Sequence, residues 1–210
     1  MITVCLLLKA PRPGLVKTRL AREVGFPRAT AIYRALVERQ IEALPAHWPV
    51  VIYFSPPEAE TEMSAWLGGL RPERSLFLPQ CEGDLGARLA AAVAAEFARG
   101  ATRLFLLGGD CPTLEASDLI EANTRLDSHD LVVGPATDGG YVLLGLKANH
   151  PGLFENIAWS TPKVLTQTQA AATRLGLSVT LLAPREDIDD LPSLNRQSEC
   201  LRDSGIDSLL

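Results

Sequence analysis

The sequence predicts an α/β fold built on a mainly parallel sheet. Short, continuous apolar runs recur along the chain, and helical periodicities lie between them. A third observation refines the picture. The runs 130–135 and 140–147 are separated by only a few turn-forming residues, too few for a helical crossover, so one antiparallel strand is expected.

The strand candidates, in order, are ITVCLLL (2–8), PVVIYFS (49–55), SLFLP (75–79), RLFLLGG (103–109), DLVVGP (130–135), GYVLLGLK (140–147) and LSVTLLA (177–183). Their apolar character is continuous rather than alternating, which implies burial on both faces by helices. A helix is expected over 27–44, with Ile32, Leu36, Val37 and Ile41 on one stripe and Pro27 near its start. A second is expected over 85–98, where Leu85, Leu89, Val93 and Phe97 recur at spacing four among alanines. A third begins near Glu115. A fourth lies in 161–176, opened by Thr-Pro, capped by Ser160 or Thr161 and stopped at Gly176. The last twenty residues are mixed polar and predict a short surface helix.

The chain has 210 residues, 47% hydrophobic and 21% charged, and reads as a single domain spanning 1–210. At that length folding buries roughly 70% of the surface exposed by the unfolded chain, so the core needs no staples. The net charge of -5 argues against a nucleic-acid-coating surface. Four scattered cysteines without a CxxC pair and only three histidines argue against a zinc site or a disulfide framework, and fit a reducing cytoplasm. The apolar run at the N-terminus is too short to span a bilayer and lacks a basic region before it, so neither membrane insertion nor a signal peptide is expected. Oligomeric state is not legible.

In such sheets ligands bind beyond the carboxyl ends of the strands. Unusual residues gather there. The first strand empties into KAPRPGLVKTRL, with Lys9, Arg12, Lys17 and Arg19 within eleven residues of an otherwise acidic chain. Such a loop, from Leu8 through Lys9, Pro11, Gly14, Lys17 and Arg19, is suited to nucleotide phosphates, with Lys17 and Arg19 neutralising the oxygens. As loop cations, these two are expected to leave the fold unaffected when removed. The third strand is followed by QCEGDLGARL. There Asp84 occupies an N-cap position flanked by Gly83, while Gln80 and Arg88 could read a base or hold phosphate. The fourth ends in GGDCPTL, where Gly108 and Gly109 permit close backbone approach and Asp110 reads as a turn cap or a magnesium ligand. Beside the other loops the metal reading prevails. In ATDGGY, Asp138, Gly139 and Gly140 read either as a simple reversal or as a surface for substrate hydroxyls. Tyr141 and Trp159 read as packing or pocket-wall aromatics. In REDIDDL, Asp187 and Asp189 project from the same side of an extended segment, and either could supply a second carboxylate to a metal at Asp110. No Ser/His/Asp or Cys/His nucleophile arrangement is readable, and Cys111 beside Asp110 reads as a small packed residue.

Taken together, KAPRPGLVKTRL, GDLGARL, LLGGDCPTL, GPATDGGYVLLGL, IAWST and DID resemble the successive motifs of the bacterial radical-SAM/selenodomain-associated transferases, over residues 2 to about 195. That family is similar to the GT-A nucleotide-diphospho-sugar transferases and, more distantly, to guanylyltransferases. The resemblance implies a Rossmann-like GT-A three-layer sandwich binding a nucleotide with Mg²⁺ or Mn²⁺. It implies a metal at Asp110 and Asp189 and a basic loop at Lys17 and Arg19, while the residues themselves suggest a small-molecule acceptor near Asp138, Gly139, Gly140, Tyr141 and Trp159. Asp189 lies in DIDDLPSL, which departs from the DIDTPEDL-like segment of some cytidylyltransferases. The glycine-rich GGxSxRMG loop of many nucleotidyltransferases is absent. Nucleotidyl transfer is favoured over glycosyl transfer because Asp110 is followed by Cys111 and Pro112 rather than by the Asp-x-Asp pair common in glycosyltransferases of this fold. A nucleotide-binding protein without turnover is the third reading.

Overall fold

The first strand, β1 (Ile2–Lys9), lies near the middle of a seven-stranded sheet of order β3-β2-β1-β4-β6-β5-β7. The other strands are β2 (Val50–Ser55), β3 (Ser75–Pro79), β4 (Arg103–Leu107), β5 (Leu131–Pro135), β6 (Tyr141–Leu146) and β7 (Val179–Leu181). This computed structural model describes residues 1–71 and 73–201, without the side chains of residues 199 and 200. β6 pairs antiparallel with both β4 and β5, and every other pairing is parallel. The expected class therefore holds, down to the single reversed strand.

Eight helices are described: α1 (Thr18–Val24), α2 (Phe26–Glu42), α3 (Glu60–Leu67), α4 (Leu85–Ala98), α5 (Ala116–Arg125), α6 (Val164–Arg174), α7 (Leu191–Arg196) and α8 (Ser198–Leu201). Alternate residues of each strand face opposite sides, so two cores form. On one face Leu6, Leu8, Ile52 and Phe105 meet Val37 and Ile41 of α2, Met63 and Leu67 of α3, and Leu119 of α5. On the other, Cys5, Leu106, Val133 and Leu144 meet Leu89 and Val93 of α4 and Ala171 and Ala172 of α6. A satellite cluster joins Leu20 of α1, Ile32 and Leu36 of α2, Leu194 of α7 and the fully buried Ile188.

Three local expectations change. The segment after β1 is not all loop, because α1 starts at Thr18 and packs against α2 and α7. The short helix α3 was not legible. Neither Ser160 nor Thr161 caps α6, whose N-cap is Lys163 without a side-chain bond. Thr161 instead folds the preceding turn, donating to the Ala158 carbonyl at 2.7 Å and accepting from the Lys163 N–H at 3.3 Å. The expected C-terminal helix exists as α7 and α8, and residues 202–210 lie outside the description.

Candidate functional site

Because β1, β3, β4, β5 and β7 run in the same direction, their carboxyl ends share one sheet edge, and the loops singled out by sequence converge there. β4 ends at Leu107. The chain then passes through Gly108 and Gly109 before Asp110. A Cβ on Gly109 would come within 2.6 Å of Leu8 Cδ2 and 2.8 Å of Val37 Cγ2, so only glycine lets this turn sit against β1 and α2. The Asp110 carbonyl accepts the Ile188 N–H at 2.9 Å, which ties the segment after β7 to the end of β4. Ile188 is buried, so its neighbours Asp187 and Asp189 both face outward beside Asp110. Carboxylate oxygens of Asp110, Asp187 and Asp189 lie within 4.8 Å of one another.

Lys17 enters this cluster from the other side. Its backbone takes left-handed angles, φ 44° and ψ 45°, at the N-cap of α1. The ammonium donates to Asp110 Oδ2 and Asp189 Oδ1, each at 2.9 Å, and its side chain is only 5% exposed. Burial alone would lower its pKa, but Asp110 and then Asp189 more than offset that, and the group is held firmly protonated. Lys17 is thus engaged with carboxylates rather than left free in a loop. Its removal would strand two anions, contrary to the expectation that the fold would not notice. Arg19 is largely exposed, 3.6 Å from Asp189 Oδ2. Asp187 accumulates the strain of the cluster: desolvation first, then repulsion from Asp110, Asp189 and Asp138, push its carboxyl up to about 6.

Two larger cavities flank the cluster, beside a smaller one of about 240 Å³ toward Glu186 and Arg196. One, of about 410 Å³, is bounded by Leu8, Lys9, Lys17, Arg19, Gly109 and Asp110, with Tyr33 at its wall. The Tyr33 hydroxyl both accepts from the Lys9 N–H (3.1 Å) and donates to the Lys9 carbonyl (3.0 Å), fixing the end of β1. Nothing in the sequence singled out Tyr33, a residue on the buried stripe of α2. The other cavity, of about 340 Å³, lies between Asp138, Gly140, Tyr141, Trp159, Asp187 and Asp189, with Leu85 and Leu89 of α4 on one side. Asp138 Oδ1 accepts the Gly140 N–H at 2.8 Å, so the turn-forming role of this aspartate is present, while the residue remains exposed beside the cavity. Gly139 has φ 92° and a Cβ there would collide with the backbone of Pro162.

The remaining expected residues stand apart from the cavities. Gln80 donates to the carbonyls of Leu8 (3.0 Å) and Tyr53 (2.9 Å) and accepts from Arg88 at 3.0 Å, so its amide braces the ends of β1 and β2. Arg88 also donates to the Gly83 carbonyl, and Asp84 caps α4 by accepting the Ala87 N–H at 2.9 Å. Pro11 is buried in the loop and Gly14 turns it in the open at φ 88°. Cys111 is buried, with its thiol pushed up to about 11 mainly by desolvation, in keeping with a packing role.

Three carboxylates offering oxygen donors at the mouth of a cationic cavity form a set suited to a hard divalent ion such as Mg²⁺ or Mn²⁺. Comparison with known proteins gives the context. The model of a family described as "Uncharacterized protein conserved in bacteria (DUF2064)" matches residues 40–161, more than half of the chain. The chain belongs to this family. A structure from Desulfovibrio desulfuricans G20, provisionally named a nucleotide-diphospho-sugar transferase, is 32% identical to it. The match covers 98% of this chain and 90% of that one at a TM-score of 0.86. Two more distant structures share the fold. A cytidylyltransferase from Leptospira borgpetersenii is 11% identical, covering 95% of this chain and 86% of its own, with TM-score 0.60. Rv0371c of Mycobacterium tuberculosis H37Rv in complex with manganese is 16% identical, covering 94% and 98%, with TM-score 0.54. No curated protein matches the sequence significantly. The Desulfovibrio relative shares nearly the whole length of this DUF2064 chain, and the other two share its fold. They do not show the radical-SAM association that its motifs resemble. Among its described residues no helix is long and apolar enough to cross a membrane.

Proposed function

We propose that this protein transfers a glycosyl group from a nucleotide-sugar to a hydroxyl acceptor, using a divalent cation held by Asp110 and Asp189 with Asp187 beside them. The observation that carries the reading is the cluster of three carboxylates and Lys17 at the strand ends, with a cavity on each side. The Lys9–Arg19 cavity suits the nucleotide and its phosphates. The Trp159 cavity suits the acceptor. A cation bound by the carboxylates would supply charge neutralisation for the departing diphosphate. Arg19 is exposed and near enough to Asp189 to assist on the phosphate side. The acceptor hydroxyl oxygen forms a bond to the anomeric carbon as the bond from that carbon to the diphosphate oxygen breaks. The hydroxyl proton passes to Asp138, whose second oxygen is not engaged by Gly140. The nucleoside diphosphate leaves.

The second reading is nucleotidyl transfer, the one the sequence favours, in which an anionic acceptor attacks an α-phosphate and pyrophosphate leaves. Its support is that Asp110 is followed by Cys111 and Pro112, and that the other carboxylates come from a segment nearly eighty residues later. Against it stands the acceptor side, where Asp138 and Asp187 would repel an anionic nucleophile. The manganese complex of Rv0371c and the Desulfovibrio relative favour a metal and a nucleotide-sugar respectively. A thermal-shift screen of nucleoside triphosphates and nucleotide-sugars, with and without Mg²⁺ or Mn²⁺, selects the donor. Product analysis then separates the readings, since nucleoside diphosphate release supports glycosyl transfer and pyrophosphate release overturns it.

A further inference from the structure

Leu85 is a large apolar side chain left 42% exposed at the start of α4, and it borders the 340 Å³ cavity. With Leu89, Val142, Val164, Tyr141 and Trp159 it makes most of that cavity's lining apolar. The size falls in the range of small-molecule pockets, roughly 300–1,000 Å³. Trp159 is held with some care. Its ring meets Tyr141 edge-on, with centroids 6.5 Å apart and planes at 82°. Behind it lies Gly86, where a Cβ would come 2.5 Å from the indole Nε1 and 2.8 Å from the Phe154 carbonyl. A larger residue on α4 would force the ring from its seat. The indole N–H has no hydrogen-bond acceptor among the described residues.

The charges around the cavity and the adjoining cluster are one-sided. Among the described residues, Asp110, Asp138, Asp187 and Asp189 are met by Lys17 and Arg19; Lys17 is already committed to two of the acids, and the nearby Arg196 is paired with Glu186. A divalent cation would bring the balance to neutrality, and a bound nucleotide would return it to negative. Arg19, the exposed cation on this cavity, is shared with Asp189 and the phosphate side, so an anionic acceptor would meet an excess of acids, and like charges brought together in a desolvated site repel strongly.

Resting on the transfer reading above, we infer that this cavity takes an uncharged acceptor with an apolar ring, seated against Trp159 and Tyr141 with a hydroxyl directed at Asp138. Trp159 and Gly86 then determine acceptor specificity. Aromatic walls of this kind contribute large buried area with fixed geometry, and the free oxygen of Asp138 accepts a hydroxyl proton but rejects a carboxylate or phosphate.

The test uses the full chain labelled with ¹⁵N at its three tryptophans. Trp48 is stacked on Phe105 and Trp66 lies under Arg34, so neither reports on the cavity. Loss of one indole signal in Trp159→Phe assigns the third. Phenyl β-D-glucoside and phenyl β-D-glucuronide differ only in replacing a neutral CH₂OH with a carboxylate. The glucoside should shift the Trp159 signal alone, with affinity at least tenfold above the glucuronide, and Asp138→Asn should narrow that ratio. Trp159→Ala should weaken the glucoside about tenfold, read by ligand-observed NMR. Glucuronide binding as tight as glucoside, or a Trp159 signal moved by neither, overturns the inference. A parallel titration with ADP, CDP, GDP and UDP plus Mn²⁺ keeps the two readings separate. If no diphosphate binds while the glucoside does, the donor reading fails and the subsite stands. Diphosphate binding without a glucoside response sinks the subsite alone.

Discussion

Replacing Lys17 with methionine should do two opposite things. The ammonium is almost wholly enclosed and donates at 2.9 Å to both Asp110 and Asp189, which are 31% and 42% exposed. Removing one partner of a buried ion pair costs about 3–5 kcal/mol, because the other charge is left uncompensated. With both acids partly hydrated, the low end applies, about 3 kcal/mol. For a domain of this size each kcal/mol corresponds to roughly 2–4 °C, so the melting temperature in EDTA should fall by about 6–12 °C. Adding Mn²⁺ should then help the variant more than the wild type. A cation entering the cluster of the wild type competes with Lys17 for the same oxygens, whereas in the variant it takes over an unneutralised set, and ligand-linked stabilisation grows with affinity. Differential scanning fluorimetry at fixed Mn²⁺ measures both effects. An unchanged melting temperature in EDTA would refute the buried counter-ion. A fall in EDTA without a larger recovery in Mn²⁺ would show that the carboxylates do not form the metal site.

Further outcomes follow from neighbouring residues. Asp110→Asn keeps the shape of the turn but leaves the buried Lys17 with Asp189 as its remaining charged partner, so it should fold with a lowered melting temperature and also lose metal-dependent stabilisation by nucleotide in thermal shift, because a neutral amide is a poor magnesium ligand. Gly109→Ala should cost about 1–3 kcal/mol in urea unfolding, since the new methyl overlaps Leu8 and Val37; a neutral result would mean that β1 and α2 can part. The raised pKa of Asp187, about 6, has a definite sign. The native state binds this proton more tightly than the unfolded state, so its contribution is full below the unfolded pKa of about 3.8 and is lost as pH rises toward 6. Asp187→Asn should therefore flatten the metal-free stability profile across that window. It should also stabilise the protein at pH 7 by about 1 kcal/mol, a figure reduced from the full shift for partial solvent screening.

The sheet was legible because its strands are buried on both faces, and continuous apolar runs survive any ambiguity about register. β7 was the least sharply bounded, since Val179–Leu181 is a short edge strand within a longer apolar run. The helix α1 was hidden for a different reason. TRLAREV follows two prolines, a glycine and three cations, and its N-cap is a lysine in left-handed conformation, which no propensity would nominate. That concealment also obscured Lys17. Sequence shows its charge but not its partners, which lie 93 and 172 positions away. Gln80 and Arg88 carried the right chemistry for a ligand and spend it on each other and on strand-end carbonyls.

The acids after β7 were legible in their direction, and the structure supplies the anchor. In Asp187-Ile188-Asp189 an extended backbone sends alternate side chains to opposite sides, so whatever buries the isoleucine exposes both aspartates together. Ile188 is wholly buried among Leu20, Ile32, Leu36 and Leu194, side chains of α1, α2 and α7. Its N–H is bound to the carbonyl of Asp110. One apolar side chain and one backbone hydrogen bond therefore bring a late segment beside the end of β4, and the same cluster seats α1, whose N-cap is Lys17. The opposing charges of the site thus share an apolar support. Truncating Ile188 to alanine would loosen the carboxylates and the ammonium at once, which is why the cations after β1 and the acids after β7 form one device rather than two solvated patches.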